Sequence, residues 1–114
     1  MFEQSQVKFY LTGSGRSPVE EFLRDQSNEI REQFMEAVNW LAAGQMLSMP
    51  HSRSLSSIRP RLHELRLKDQ SGQVRILYFM KKRDGIYMLH AFRKKTQAMP
   101  LQDIKVALKR IREI

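Results

Sequence analysis

"RLHELRL" (61–67), "QVRILYFM" (73–80) and "GIYMLHAFRK" (85–94) follow one another closely, and their reading decides the fold. The first alternates apolar and polar residues; the other two are rich in Val, Ile, Tyr and Phe, as strands prefer. "KDQSG" and "KKRDG" separate them, and both end in Gly, as hairpin loops often do. Three consecutive antiparallel strands, a meander, are therefore expected.

Toward the C-terminus, "PLQDIKVALKRIREI" (100–114) reads as a helix. Leu101, Ile104, Leu108 and Ile111 line one face, and Lys105, Lys109, Arg110 and Arg112 lie elsewhere on its surface. Pro100 suits the first helical position, and the basic last turns complement the helix dipole. Toward the N-terminus, residues 44–61 read as irregular, with Pro50, Pro60 and the Ser/Arg-rich "HSRSLSSIRP"; a connection this long is often functional or mobile. A helix is expected from about Asn28 to Ala43, with Ile30, Phe34, Val38 and Leu41 as its stripe. Met35 and Ala42 would widen the stripe, and Gly44 would end the helix. "SPVEEFL" (17–23) gives another helix start: Ser17 as N-cap, Pro18 at the first position, and Glu20 completing a capping box. "TGSG" (12–15) is a loop, and "SQVKFYL" (5–11) is a short strand.

The order β–α–α–β–β–β–α is an α+β fold. The N-terminal strand would join the meander as an edge strand. Two N-terminal helices would pack on one face, with a C-terminal helix in addition. Residues 1–114 are enough for one domain.

Composition narrows the function. No run approaches the ~18 apolar residues of a membrane span, and "MFEQSQVKFYLTGSG" lacks the pattern of a signal peptide. Cysteine is absent, which rules out disulfides and thiolate chemistry and suits a cytoplasmic protein. The net charge is +8, unevenly spread. Residues 1–50 hold four Lys/Arg and seven Asp/Glu, net −3; residues 51–114 hold sixteen and five, net +11. A basic half suggests a polyanion partner, because each cation that neutralises a phosphate releases a counterion.

His51, His63 and His90 form no local metal pair, and no Gly-rich phosphate loop is present, so no metal or cofactor is expected. The positive signal is the polar content of the meander. Glu64 and Arg66 share a face of their strand. Arg75 interrupts the apolar run "VRILYFM" and must leave the core, pair, or serve a site. His90, Phe92 and Lys94 share one face of the third strand; Arg93 and Lys95 share the other. Singly, each has an ordinary explanation as a surface pair, an edge charge, a core ring or a solvated strand end. Together they could meet on the sheet face that the helices leave uncovered.

Residues 64–111 carry a resemblance. Glu64–Leu65–Arg66, then Gly72 with Arg75, Ile76 and Tyr78, then Met88 to Lys95 ("MLHAFRKK"), then a final helix opened by Pro100, resemble the RelE/ParE toxin superfamily, in its phage-related HigB-type branch. Met99 stands where that branch often has a capping Ser or Thr, and Ala91 where it often has Gly.

The resemblance implies a RelE-like fold and the toxin of a type II toxin–antitoxin pair. It implies a ribosome-dependent endoribonuclease, an mRNA interferase in which a ribose 2′-OH attacks the adjacent phosphorus. Arg75 matches the family's phosphate-binding arginine, with Arg66 beside it. Lys94 and Lys95 match the basic end of the third strand, where the family places a functional cation. Glu64 or His90 would be the base; Phe92 could stack on a nucleotide base, and Arg93 and Lys94 could bind RNA. The implied partners are mRNA on the ribosome and a helix-turn-helix, HigA-like antitoxin. Two alternatives stay open at this point: a ParE-like toxin that inhibits DNA gyrase without cutting RNA, and a non-catalytic RNA-binding regulatory module.

Overall fold

The computed structural model describes residues 6–98 and 100–114, so the capping position Met99 and the first residue of the "SQVKFYL" strand lie outside the described residues. The elements are β1 (Val7–Phe9), α1 (Pro18–Arg24), α2 (Asn28–Ala42), β2 (Ser52–Ser54), β3 (Leu62–Asp69), β4 (Gly72–Lys81), β5 (Gly85–Lys94) and α3 (Leu101–Ile111). The α+β class and the antiparallel β3–β4–β5 meander are as expected. β1 joins one edge, parallel to β5, with Val7 opposite Ile86.

The sheet has five strands rather than four, in the order β1-β5-β4-β3-β2. β2 comes from the segment read as irregular and pairs antiparallel with β3. Its sequence, Ser-Arg-Ser, has no strand signature. The buried Ser52 hydroxyl meets the Tyr78 hydroxyl at 2.6 Å, a contact between residues distant in sequence that fixes β2 at the edge.

Helices cover both faces. On one, α1 and α2 bury Val19, Leu23, Ile30, Phe34, Ala37 and Leu41 against Leu65, Leu67, Val74, Ile76, Tyr78, Ile86 and Met88. On the other, α3 buries Ile104, Ala107 and Ile111 against Leu62, Leu77, Phe79 and Leu89. Each fully buried aliphatic or aromatic side chain contributes roughly 1.5–3 kcal/mol, so these two layers dominate the stability of the fold. The second layer corrects the expectation of an uncovered face. α3 covers the part of it nearest Phe79 and leaves the part nearest Arg75.

Local details differ as well. Ala37 completes the α2 stripe, whereas Met35 is 53% exposed and Ala42 only half-buried. In α3 it is Ala107 that is buried, while Leu101 is exposed. Ser27 caps α2, its Oγ accepting from the Ile30 N–H at 3.2 Å. The expected capping box at α1 does not form. The Ser17 hydroxyl is buried without a partner, and the carboxylate that engages the start of this helix is Glu21, which receives the Arg16 guanidinium. Gly44 ends α2 as expected, at φ 85° with its N–H donated to Leu41 O.

One irregularity positions the site. The β4–β5 register shifts at Leu77/Tyr78: Tyr78 faces Met88 and Leu77 faces His90, leaving Leu89 as an extra residue. A bulge reverses the facing of everything beyond it. Leu89 can therefore enter the α3 layer while His90, Phe92 and Lys94 share the face of Leu77, Arg75 and Gln73.

Candidate functional site

From the margin of the α3 layer outward, the register builds three rows of mostly polar residues across the sheet. The first runs Arg53, Glu64, Leu77, His90; the second Arg66, Arg75, Phe92; the third Lys68, Gln73, Lys94. Glu64, Arg66, Arg75, His90, Phe92 and Lys94 thus come together as the sequence suggests.

Arg75 lies at the centre and is only 3% exposed. Its Nη2 donates to Gln73 Oε1, and its Nη1 reaches Val74 O at 3.4 Å. Its Nε has no hydrogen-bond partner, because Glu64 Oε1 stands 3.7 Å away, too far for a bond. Arg66 sits directly opposite Arg75 across the β3–β4 pair. Like charges directly opposite each other in a sheet are unfavourable. Burial, and then the Arg66 charge, push the Arg75 guanidinium below its usual pKa. Arg75 therefore lies beside one buried carboxylate and opposite a second guanidinium, with its Nε donor left over. That is an arrangement suited to an anion with oxygens to offer.

Arg66 is half-buried; its Nη1 lies 3.2 Å from Met49 Sδ. His90 is also half-buried, and its Nε2 meets Asp103 Oδ1 of α3 at 2.7 Å. A carboxylate at Nε2 favours the tautomer with the proton there, leaving the lone pair on Nδ1. Apolar burial holds α3 in place; one hydrogen bond of this kind adds about 1 kcal/mol. The His90 ring stacks on Phe92 with centroids 5.6 Å apart, and Phe92 also packs against the α3 layer. Lys95 is exposed just past the end of β5.

Arg93 stands apart from this group. It faces the α1/α2 side, where Asp69 takes its Nη1 and Nη2 and Gln26 takes its Nε. His63 stacks on Tyr78 on that same side, 5.2 Å between centroids, and burial lowers its pKa.

Sequence reading did not single out Asp103, Gln73 or Arg53. Asp103 lay unremarked within the C-terminal helix, Gln73 at the start of its strand, and Arg53 in the irregular 44–61 segment. Only the Arg-then-Gln register and the packing of α3 give them a place. No cluster of three or more side chains suited to a metal ion occurs among the described residues, and no helix there is long and apolar enough to cross a membrane.

A family model for the phage-derived Gp49-like proteins (DUF891) matches residues 21–112. That span takes in both N-terminal helices in whole or part, the meander and all of the residues in the three rows. Gp49-like proteins are a RelE-like toxin family associated with toxin–antitoxin pairs. A comparison with curated proteins gives no match.

Proposed function

The chain belongs to the Gp49-like family, and from that premise we propose that it is the toxin of a type II toxin–antitoxin pair that cuts translated mRNA on the ribosome. The observation that carries this reading is Arg75: a buried guanidinium with an unpaired Nε, opposite a second guanidinium, at the centre of the three rows.

The reaction needs a base for the ribose 2′-OH, fixed positive charge for the phosphorane, and an acid for the departing 5′-oxygen. The 2′-oxygen bonds to phosphorus, the bond to the 5′-oxygen breaks, and a 2′,3′-cyclic phosphate remains. Arg75 and Arg66 supply the charge, since a planar guanidinium grips two phosphate oxygens at once. Of the two candidate bases, His90 suits the task better than Glu64. His90 is accessible and oriented by Asp103, whereas Glu64 is buried and faces Arg75. Glu64 then supplies a neighbouring negative charge to Arg75, while Gln73 holds one arm of the Arg75 fork. Lys94 and Lys95 bring cations to the leaving side, and Phe92 offers the edge of its ring to a base. Arg93, already engaged by Asp69, stays with the scaffold in this reading.

The partner follows from the same chemistry. A helix-turn-helix, HigA-like antitoxin would present acidic residues to the basic half of the chain. The test is induction in cells. Wild type should arrest growth, and Arg75→Ala at equal soluble expression should not. Arrest by Arg75→Ala as strong as wild type removes the assignment.

A further inference from the structure

A groove of about 670 Å³ runs between β3 and α2. Trp40, Met46 and Met49 line it, as do Arg66 and Arg75 from the strands. Trp40, Met46 and Met49 are 48%, 68% and 55% exposed, large apolar side chains left in water beside a buried cation. The volume lies in the ordinary range for a small-molecule site. Arg66 ties the two groups together through its contact with Met49 Sδ. Arg75, more than nine-tenths buried, also lines the groove, and its Nε is buried without a hydrogen-bond partner.

We propose that this groove is a nucleotide subsite for single-stranded RNA, the base stacking on Trp40 between Met46 and Met49 and the adjoining phosphate lying against Arg66 and Arg75. The proposal rests on the RNA-cleaving reading above and extends it to a position beyond the cut.

Charge fixes the direction in which a nucleotide enters. Glu36 lines the Trp40 end and repels a phosphate there, while the arginines attract one at the other end. An indole face accepts any base, so the subsite would grip RNA with little sequence preference. A peptide adding as a strand is a poorer occupant, because the β3 edge is already closed. The Arg66 N–H donates to His51 O, and the Gln33 amide bonds both the N–H and the carbonyl of Lys68.

Trp40 is the only tryptophan of the chain, so its fluorescence reports this groove alone. The probe is a short mixed-sequence oligoribonucleotide with 2′-O-methyl groups, which cannot be cleaved by 2′-OH attack. It should change the Trp40 emission saturably at low salt. With a labelled form of the same probe, Trp40→Ala should weaken binding about tenfold, the scale of one base–aromatic stack. Trp40→Phe should keep most of the affinity, and Arg66→Ala should weaken it. Saturable RNA binding with unchanged Trp40 emission, and with Trp40→Ala binding like wild type, would overturn the subsite while leaving RNA cleavage intact. No binding of the free probe would overturn the subsite, and the cleavage reading is then decided separately by the Arg75→Ala induction test. A Trp40 response to the antitoxin but not to RNA would make the groove a protein surface and overturn the proposal.

Discussion

At the level of single residues, some charged groups are spent on the fold and others are not. Asp69 accepts Arg93 and the Ser27 hydroxyl, and both close an internal contact. Arg75 is buried as deeply as a core leucine but keeps an unpartnered donor, a cost of roughly 1–3 kcal/mol that folding alone does not explain. Arg75→Ala should therefore lower RNA cleavage by on the order of 10²–10³, the range for removing one preorganised charge-stabilising donor. Arg75→Lys should restore little of it, because a lysine cannot grip two oxygens. His90→Ala should cost ~10²–10⁴ as the loss of a general base, and Asp103→Asn less, with its thermal unfolding close to wild type. Single-turnover cleavage and calorimetry on the same preparations check these together. A cleavage rate for Asp103→Asn equal to wild type would make the His90–Asp103 pair a surface contact. Arg75 was legible in the sequence because a charge inside "VRILYFM" needs a reason. Asp103 was not, because its role exists only once α3 lies across β5.

At the scale of elements, the two helix starts make a controlled comparison. Ser27 caps α2 and also donates to Asp69 at 2.7 Å, so Ser27→Ala should destabilise by about 1–2 kcal/mol. Ser17 is the cap read from the sequence, with Pro18 and Glu20 after it. Its hydroxyl is buried and unpaired, so Ser17→Ala should be neutral or slightly stabilising. Urea unfolding of the two variants decides it; equal losses would mean that Ser17 caps α1 in solution. Gly85 is a second test. A Cβ there would stand 2.7 Å from Gln6 O at φ 139°, on the strand end where β1 meets β5, so Gly85→Ala should strain that edge. The meander, both long helices and the N-terminal edge strand could be read from periodicity and turn residues. β2 could not, because Ser52–Ser54 is held by Tyr78 and by pairing with β3 rather than by its own propensity. The bulge at Leu89 left no mark in the sequence either, yet it turns His90, Phe92 and Lys94 onto the face of Arg75.

At the scale of the whole molecule, acid and salt probe different parts. Asp69 and Asp84 have pKa values lowered from 3.8 to about 2, the first by Arg93 and then Ser27, the second by Lys8, then Tyr87 and Lys81. Because their folded values are depressed, their stabilisation is complete above about pH 4 and is lost as pH falls through about 2. Melting temperature should fall over that window, and Arg93→Ala should flatten the fall; an unchanged slope would count against the Asp69 contact. The net charge of +11 over residues 51–114 predicts polyanion binding that weakens steeply with salt. The central claim is more specific than polyanion binding, and one measurement reaches it: mapping mRNA 5′ ends after induction, with translation running and with translation blocked. Cuts at fixed codon positions that disappear when translation stops, and that are absent with Arg75→Ala, are the predicted result. Unchanged 5′ ends in growth-arrested cells, or cuts that persist without translation, would contradict it.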